Sequence, residues 1–148
     1  VSNYPDWWDK TITVYNRHED ELTHLVSWYR HTVDGCFYKS VGETVNLNNV
    51  KLDTNNILCR IPIKAEYLAP YEWAALSNDL KPSYFTLKQG DIIVLGDVSD
   101  EISETTPGSR STDLLKKYKA LQGCLIIQEV GDNTGNGLGI KHYHVNGI

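Results

Sequence analysis

His142 and His144 stand two residues apart in a run that alternates like a strand, so they share a face, the minimum for two imidazoles to reach one metal ion. A metal needs further ligands. His18, His24 and His31 stand at spacings that match no zinc signature, and Cys36, Cys59 and Cys124 are dispersed in apolar, strand-like contexts. The histidines therefore read as surface or interface residues and the cysteines as core thiols. Asp97, Asp100, Glu101 and Glu104 form an acidic cluster. The calcium-loop signature is absent, and a linear acidic loop lacks the pocket that separates the pKa values of an acid/base pair. That cluster reads as a solvated or salt-bridging interface loop, with Arg110 and the helix lysines Lys116 and Lys117 as complementary charges on a neighbouring copy. Gly135, Gly137 and Gly139 precede a strand pattern, so they read as a hairpin loop, because a phosphate cradle needs a following helix. No Gly-x-Ser-x-Gly occurs, and no cysteine lies in a recognisable nucleophile motif. The tryptophans Trp7, Trp8, Trp28 and Trp73 suit either stacking on sugars or anchoring a core or a subunit interface. From these residues the chain is expected to be no enzyme and to hold no metal or cofactor.

The elements that position these residues are mostly strands. Thr11 to Tyr15 alternates, Val26 to His31 repeats the pattern, and Asn16 to Leu25 reads as the exposed tip between them. Asp34-Gly35 reads as a turn, after which Cys36 to Lys39 continues the meander. Thr44 to Leu47 and Val50 to Leu52 flank Asn48-Asn49, which predicts a protruding hairpin within 40–56. Ile57 to Ile61 is β-like, and Ile63 to Gly90 has no clean period apart from a short helix expected over Tyr71 to Leu76 after Pro70. Ile92 to Leu95 is continuously apolar, the pattern of a strand buried on both faces. Leu114, Leu115, Tyr118 and Leu121 recur at helical spacing, with a cap near Ser111 or Thr112 and a stop at Gly123. Cys124 to Val130 and Ile140 to Val145 complete the strands. The expected fold is mainly β: one domain over 1–148, a small antiparallel β-barrel of six to eight strands with one short α-helix in its C-terminal half and long loops at about 40–56, 63–90 and 97–111.

The composition narrows the classes. A chain of 148 residues with 41% hydrophobic and 22% charged residues has ordinary globular usage. No apolar run approaches the roughly 18 residues that cross a bilayer, so no membrane partner is expected. The net charge of −5 disfavours tight, non-specific wrapping of phosphate backbones. Residues 1–9 lack a basic and apolar leader pattern and no Asn-x-Ser/Thr sequon occurs, which predicts cytosolic synthesis.

Several strings together carry a resemblance: YPDWW at Tyr4–Trp8, TITVYNR at Thr11–Arg17, ILCRIP at Ile57–Pro62, YFTLKQGDIIVLG at Tyr84–Gly96, DEI at Asp100–Ile102 and DLLKKYKALQG at Asp113–Gly123. The chain resembles, over nearly its whole length, an uncharacterised family of small proteins encoded in prophages of Gram-positive gut bacteria, among head and tail structural genes. In length and strand order that family is similar to the head-closure, or stopper, proteins of long-tailed phages. The resemblance implies a virion protein, made in the host cytoplasm, that forms a ring with copies of itself at the head-to-tail junction. Its partners are then the portal and adaptor above, tail proteins below, and genomic DNA retained in the channel without sequence-specific binding. It carries no catalytic residues. By position, Gly42, Glu43, Thr44, Asn46, Asn48, Asn49 and Lys51 are expected on a lumenal or tail-facing loop. The acidic loop with Arg110, Lys116 and Lys117 is expected between subunits, and the four tryptophans as aromatic anchors. The alternatives are another tail-proximal ring, such as a tail-completion or terminator protein, a carbohydrate-binding decoration module, and a metal-dependent hydrolase using His142 and His144.

Overall fold

Alternation in the first strand decides the architecture. Ile12 and Val14 point to one side and are fully buried, while Thr13 and Tyr15 are buried on the other side, so this strand has cover on both faces. The computed structural model describes residues 5–47, 50–121, 123–132 and 142–148, with side chains of 40–56 and 120–121 outside the description. Its strands are β1 (Lys10–Glu19), β2 (Val26–Leu47), β3 (Val50–Pro62), β4 (Ile92–Leu95), β5 (Cys124–Asp132) and β6 (His142–Gly147). Two helices, α1 (Pro70–Ala74) and α2 (Ser111–Leu121), and a one-turn 3-10 helix at Lys81–Ser83 lie between them. Every strand pairing is antiparallel, and the order β1-β2-β3-β6-β5-β4 closes back on β1. The fold is the expected β-barrel, with six strands.

Asp34-Gly35 is not the turn its composition suggests. Gly35 lies inside β2 at φ +73°, where the register with β1 slips between Lys10↔Cys36 and Ile12↔Val33, leaving one extra residue on β2. This is a β-bulge, and glycine supplies its left-handed angle without strain. The bulge marks a change of neighbour. Up to Cys36 β2 pairs with β1, and from Phe37 onward it pairs with β3.

Two packed layers follow from the strand parity. Inside the barrel, Ile12, Val14, Cys36, Cys59, Ile61, Ile93, Leu125 and Val145 form one core. Outside β1, β4 and β5, residues Tyr15, Ile92, Val94 and Cys124 pack against Val98, Ile102, Leu114 and Tyr118, so the 97–110 loop and α2 roof that face. Ile92 to Val94 is thereby buried on both sides, as its apolar run predicts. Gly123, at φ +111°, ends α2 by donating its N–H to the Tyr118 carbonyl at 2.7 Å.

The two ends of the barrel differ. At one end Pro62 leads into the 63–90 excursion, which returns at Asp91 after bonding Leu68 N to Phe85 O (3.0 Å) and Phe85 N to Glu66 O (3.0 Å). At the other end, β2 and β3 run on together. Beyond Ile57, the last β3 residue paired with β6, seven register pairs from Val41↔Asn56 to Leu47↔Val50 join only each other among the described residues. At about 3.3 Å per residue this two-stranded arm is about 20 Å long.

Candidate functional site

The arm is the expected hairpin, and it contains the residues assigned to a lumenal or tail-facing loop. Gly42, Glu43, Thr44, Asn46 and Lys51 occupy register positions opposite Asn55, Thr54, Asp53, Lys51 and Asn46. Asn48 and Asn49 lie outside the described residues. A lone two-stranded ribbon is at best marginally stable in water, so a segment of this length calls for cover from another surface.

The acidic loop folds onto its own chain. Asp100 accepts hydrogen bonds from Lys117 Nζ at 2.8 Å and from the Tyr118 hydroxyl at 2.6 Å, and these hold its carboxyl below the usual range. Arg30 lies 4.0 Å from Asp97 and 3.5 Å from Glu101, and its Nη1 donates to the Val98 carbonyl at 3.0 Å. Glu104 accepts from Ser111 N (2.7 Å) and Ser111 Oγ (3.2 Å), and Asp113 accepts from Arg110 N at 3.2 Å, so carboxylates satisfy backbone donors at the α2 N-terminus. The acidic side chains of the loop, and Lys117 among the cations assigned to a neighbouring copy, are thus engaged within the chain. Arg110 and Lys116 are exposed, and Arg110 borders a cleft of about 210 Å³ with Asp100, Glu101, Ser109 and Lys117.

The tryptophans divide by exposure. Trp73 is 0% exposed, and Trp8 is also buried, Trp28 is half-buried against the outer core, and Trp7 is 56% exposed. Trp73 anchors the 63–90 excursion to its own barrel. Its ring lies 5.5 Å from Lys81 Nζ, 5.3 Å from Lys88 Nζ, 5.7 Å from the Tyr29 ring and 6.0 Å from the His18 ring, and its Nε1 donates to Tyr84 O at 3.3 Å. Lys81, almost fully buried, donates to the Leu76 carbonyl, and burial lowers its pKa. Trp7 meets Phe37 edge-on at 5.2 Å, and Arg60 lies over the Phe37 ring at 5.7 Å.

A buried polar network that sequence reasoning missed closes the same end of the barrel. Asn16 Nδ2 donates to Thr86 O and to Asp91 Oδ2, both at 2.7 Å, while Asn16 Oδ1 accepts from Thr86 N at 3.2 Å. Asp91 Oδ1 accepts from Arg17 N at 3.0 Å and from Lys88 Nζ at 2.6 Å. Burial raises the Asp91 pKa despite those donors. The sequence signal was a carboxylate directly before a run buried on both faces, which is equally the pattern of an ordinary turn residue after Gly90.

His142 and His144 share the outer face of β6 with ring centroids 6.4 Å apart, and His142 meets Trp8 at 5.5 Å. His144 pairs in register with Arg60, and burial lowers its pKa. Among the described residues no group of three His, Cys, Asp or Glu side chains is placed to hold a metal. Cys36, Cys59 and Cys124 are free and buried, the Cys36 thiol being pushed up to about 12 by burial. Protonated thiols of this kind are poor nucleophiles, in keeping with core packing.

A family model described as "Family of unknown function (DUF6751)" matches residues 7–148, so the chain belongs to that family. Neither the curated proteins nor the solved structures hold a match to it.

Proposed function

We propose that this member of the DUF6751 family is a structural component of a phage virion, a head-closure protein that works as a ring of copies at the head-to-tail junction. The observation that carries the reading is the arm, seven register pairs long, which leaves a closed barrel at one end while the 63–91 segment fills the other. A closed barrel has no free strand edge, so its own sheet offers nothing to pair with, and the arm is the part built for contact. In a ring the arms converge on the lumen or face the tail, where neighbours order them and the packaged DNA is retained. The net charge of −5 suits a channel that must release DNA. The resemblance of strings such as YPDWW and YFTLKQGDIIVLG to prophage structural proteins supplies the virion setting. The portal and adaptor above and tail proteins below are the corresponding partners.

Imaging of purified virions tests this directly. A layer of this chain at the head-to-tail junction is the expected result, and its location on capsid faces or fibre tips overturns the reading. A layer one step further toward the tail identifies instead a tail-completion or terminator ring. The exposed Trp7 beside Phe37 favours one reading of another class, a carbohydrate-binding decoration module. That reading requires saccharide binding by the isolated monomer, abolished by Trp7→Ala.

A further inference from the structure

Among the described residues the arm has two open edges, and its β3 edge is self-complementary. We infer that this edge pairs with the same edge of a second copy, antiparallel about a two-fold axis at Leu52. The register of the arm places Val45 opposite Leu52 and Leu47 opposite Val50, so four apolar residues share one parity near the tip. The other parity carries Thr44 opposite Asp53 and Asn46 opposite Lys51. Along β3, Lys51 and Asp53 flank Leu52.

Antiparallel pairing of two such edges centred on Leu52 sets Lys51 of each copy opposite Asp53 of the other, giving two opposite-charge cross-strand pairs by symmetry. Moving the axis to Asp53 or to Lys51 sets like charges face to face, which is destabilising. The β2 edge of the arm carries Glu43 and no cation, so it has no equivalent register. Charge on an open edge ordinarily blocks sheet growth. Here the alternation of sign converts that block into a filter that admits one register and one partner. The pair joins two ribbons into a four-stranded sheet, past the size at which a sheet with an apolar face holds by itself.

An isologous contact of this kind cannot recur around a cyclic ring, where each copy presents one surface to a different surface of the next. On the head-closure reading the two-fold pair is then the form of the chain off the ring, with the β3 edge covered until assembly. The inference stands on the arm's register and charges, so it holds or fails independently of the virion reading.

Charge exchange at the edge provides the test, with the full chain studied by analytical ultracentrifugation and folding checked by far-ultraviolet circular dichroism. The wild-type chain is expected to sediment as a concentration-dependent dimer. Lys51→Asp and Asp53→Lys are each expected to weaken it by roughly tenfold or more, since two cross-strand pairs turn repulsive together. The double exchange Lys51→Asp/Asp53→Lys restores the dimer, and an equimolar mixture of the two single variants forms a mixed one. A monomeric wild type, a dimer indifferent to either single exchange, or single variants that fail to recover on mixing overturns the inference.

Discussion

Asp91 and Asp100 place the same functional group in opposite surroundings. Burial of Asp91 outweighs the help of Lys88, the Arg17 N–H and Asn16, so its carboxyl is held above the usual range. An acid of this kind binds more protons folded than unfolded. Its contribution to stability falls as pH rises from the ordinary carboxylate range through the raised folded value, and is level beyond it. Asp100 has the reverse sign: bonded by Lys117 and Tyr118, it adds stability above the unfolded pKa that is lost as pH falls through the lowered folded value. Carboxyl titration by NMR is expected to place Asp91 above Asp100, and the opposite order contradicts this account. Asp100→Asn is expected to lower stability at neutral pH by only about 0.5–1 kcal/mol, because Lys117 is half in water. In urea unfolding, that difference should close below the ordinary carboxylate range. The acidic residues themselves were legible in the sequence. Their partners were not, because Arg30 lies on a distant strand and the 97–110 loop reaches it only by folding back.

The 63–90 excursion shows how an element without periodicity is held. Its order rests on Phe85 and Leu87 set into the barrel core, on Trp73 beside Lys81 and Lys88, and on the Asn16–Asp91 network. Trp73→Ala removes a fully buried ring and is expected to cost about 3–5 kcal/mol in equilibrium unfolding, a size typical of buried Trp truncation. A variant with near wild-type stability denies Trp73 this anchoring role. Closure of the barrel rests on a second tight element. A Cβ on Gly147 meets the Ile126 carbonyl and the Leu125 side chain, next to the paired bonds Ile126 N to Ile148 O (2.9 Å) and Ile148 N to Ile126 O (3.3 Å). Gly147→Ala is expected to destabilise by roughly 1–3 kcal/mol, the range of overpacking, with faster amide exchange along β5 and β6. The sequence disclosed β4 and α2 cleanly because their burial patterns are local. It misled at Asp34-Gly35 because a left-handed glycine serves a bulge and a turn alike, and only the hand-over of β2 from β1 to β3 decides between them.

For the whole molecule, the division into a closed barrel and an arm makes the folding of the body separable from the proposed role of the arm in assembly. Strand count and alternation made the closed sheet legible, but the inequality of its ends depends on where each pairing stops, and that is a property of register. It also refines the choice of charged residue for testing a ring contact. Reversing Lys117 breaks its bond to Asp100 within the chain, whereas exposed Arg110 engages Asp113 through its backbone N–H, so Arg110→Glu tests the contact with less damage to the fold. If the arm serves assembly alone, it can be removed without loss of the body. Ser40 and Ile57 are register partners at its base, and neighbours so placed across an antiparallel pair lie about 5 Å apart, within reach of a two-residue Asn-Gly turn. Replacing 41–56 by that turn is expected to leave the melting temperature within a few degrees of wild type, because the deleted strands pair only with each other among the described residues. On the proposed head-closure reading, virions carrying the shortened chain then lose packaged DNA or fail to attach tails. Complementation of a deletion phage, scored by DNA retention and tail attachment, decides the matter: a fully functional armless chain removes the arm from the mechanism, and an unfolded one shows that the barrel depends on it.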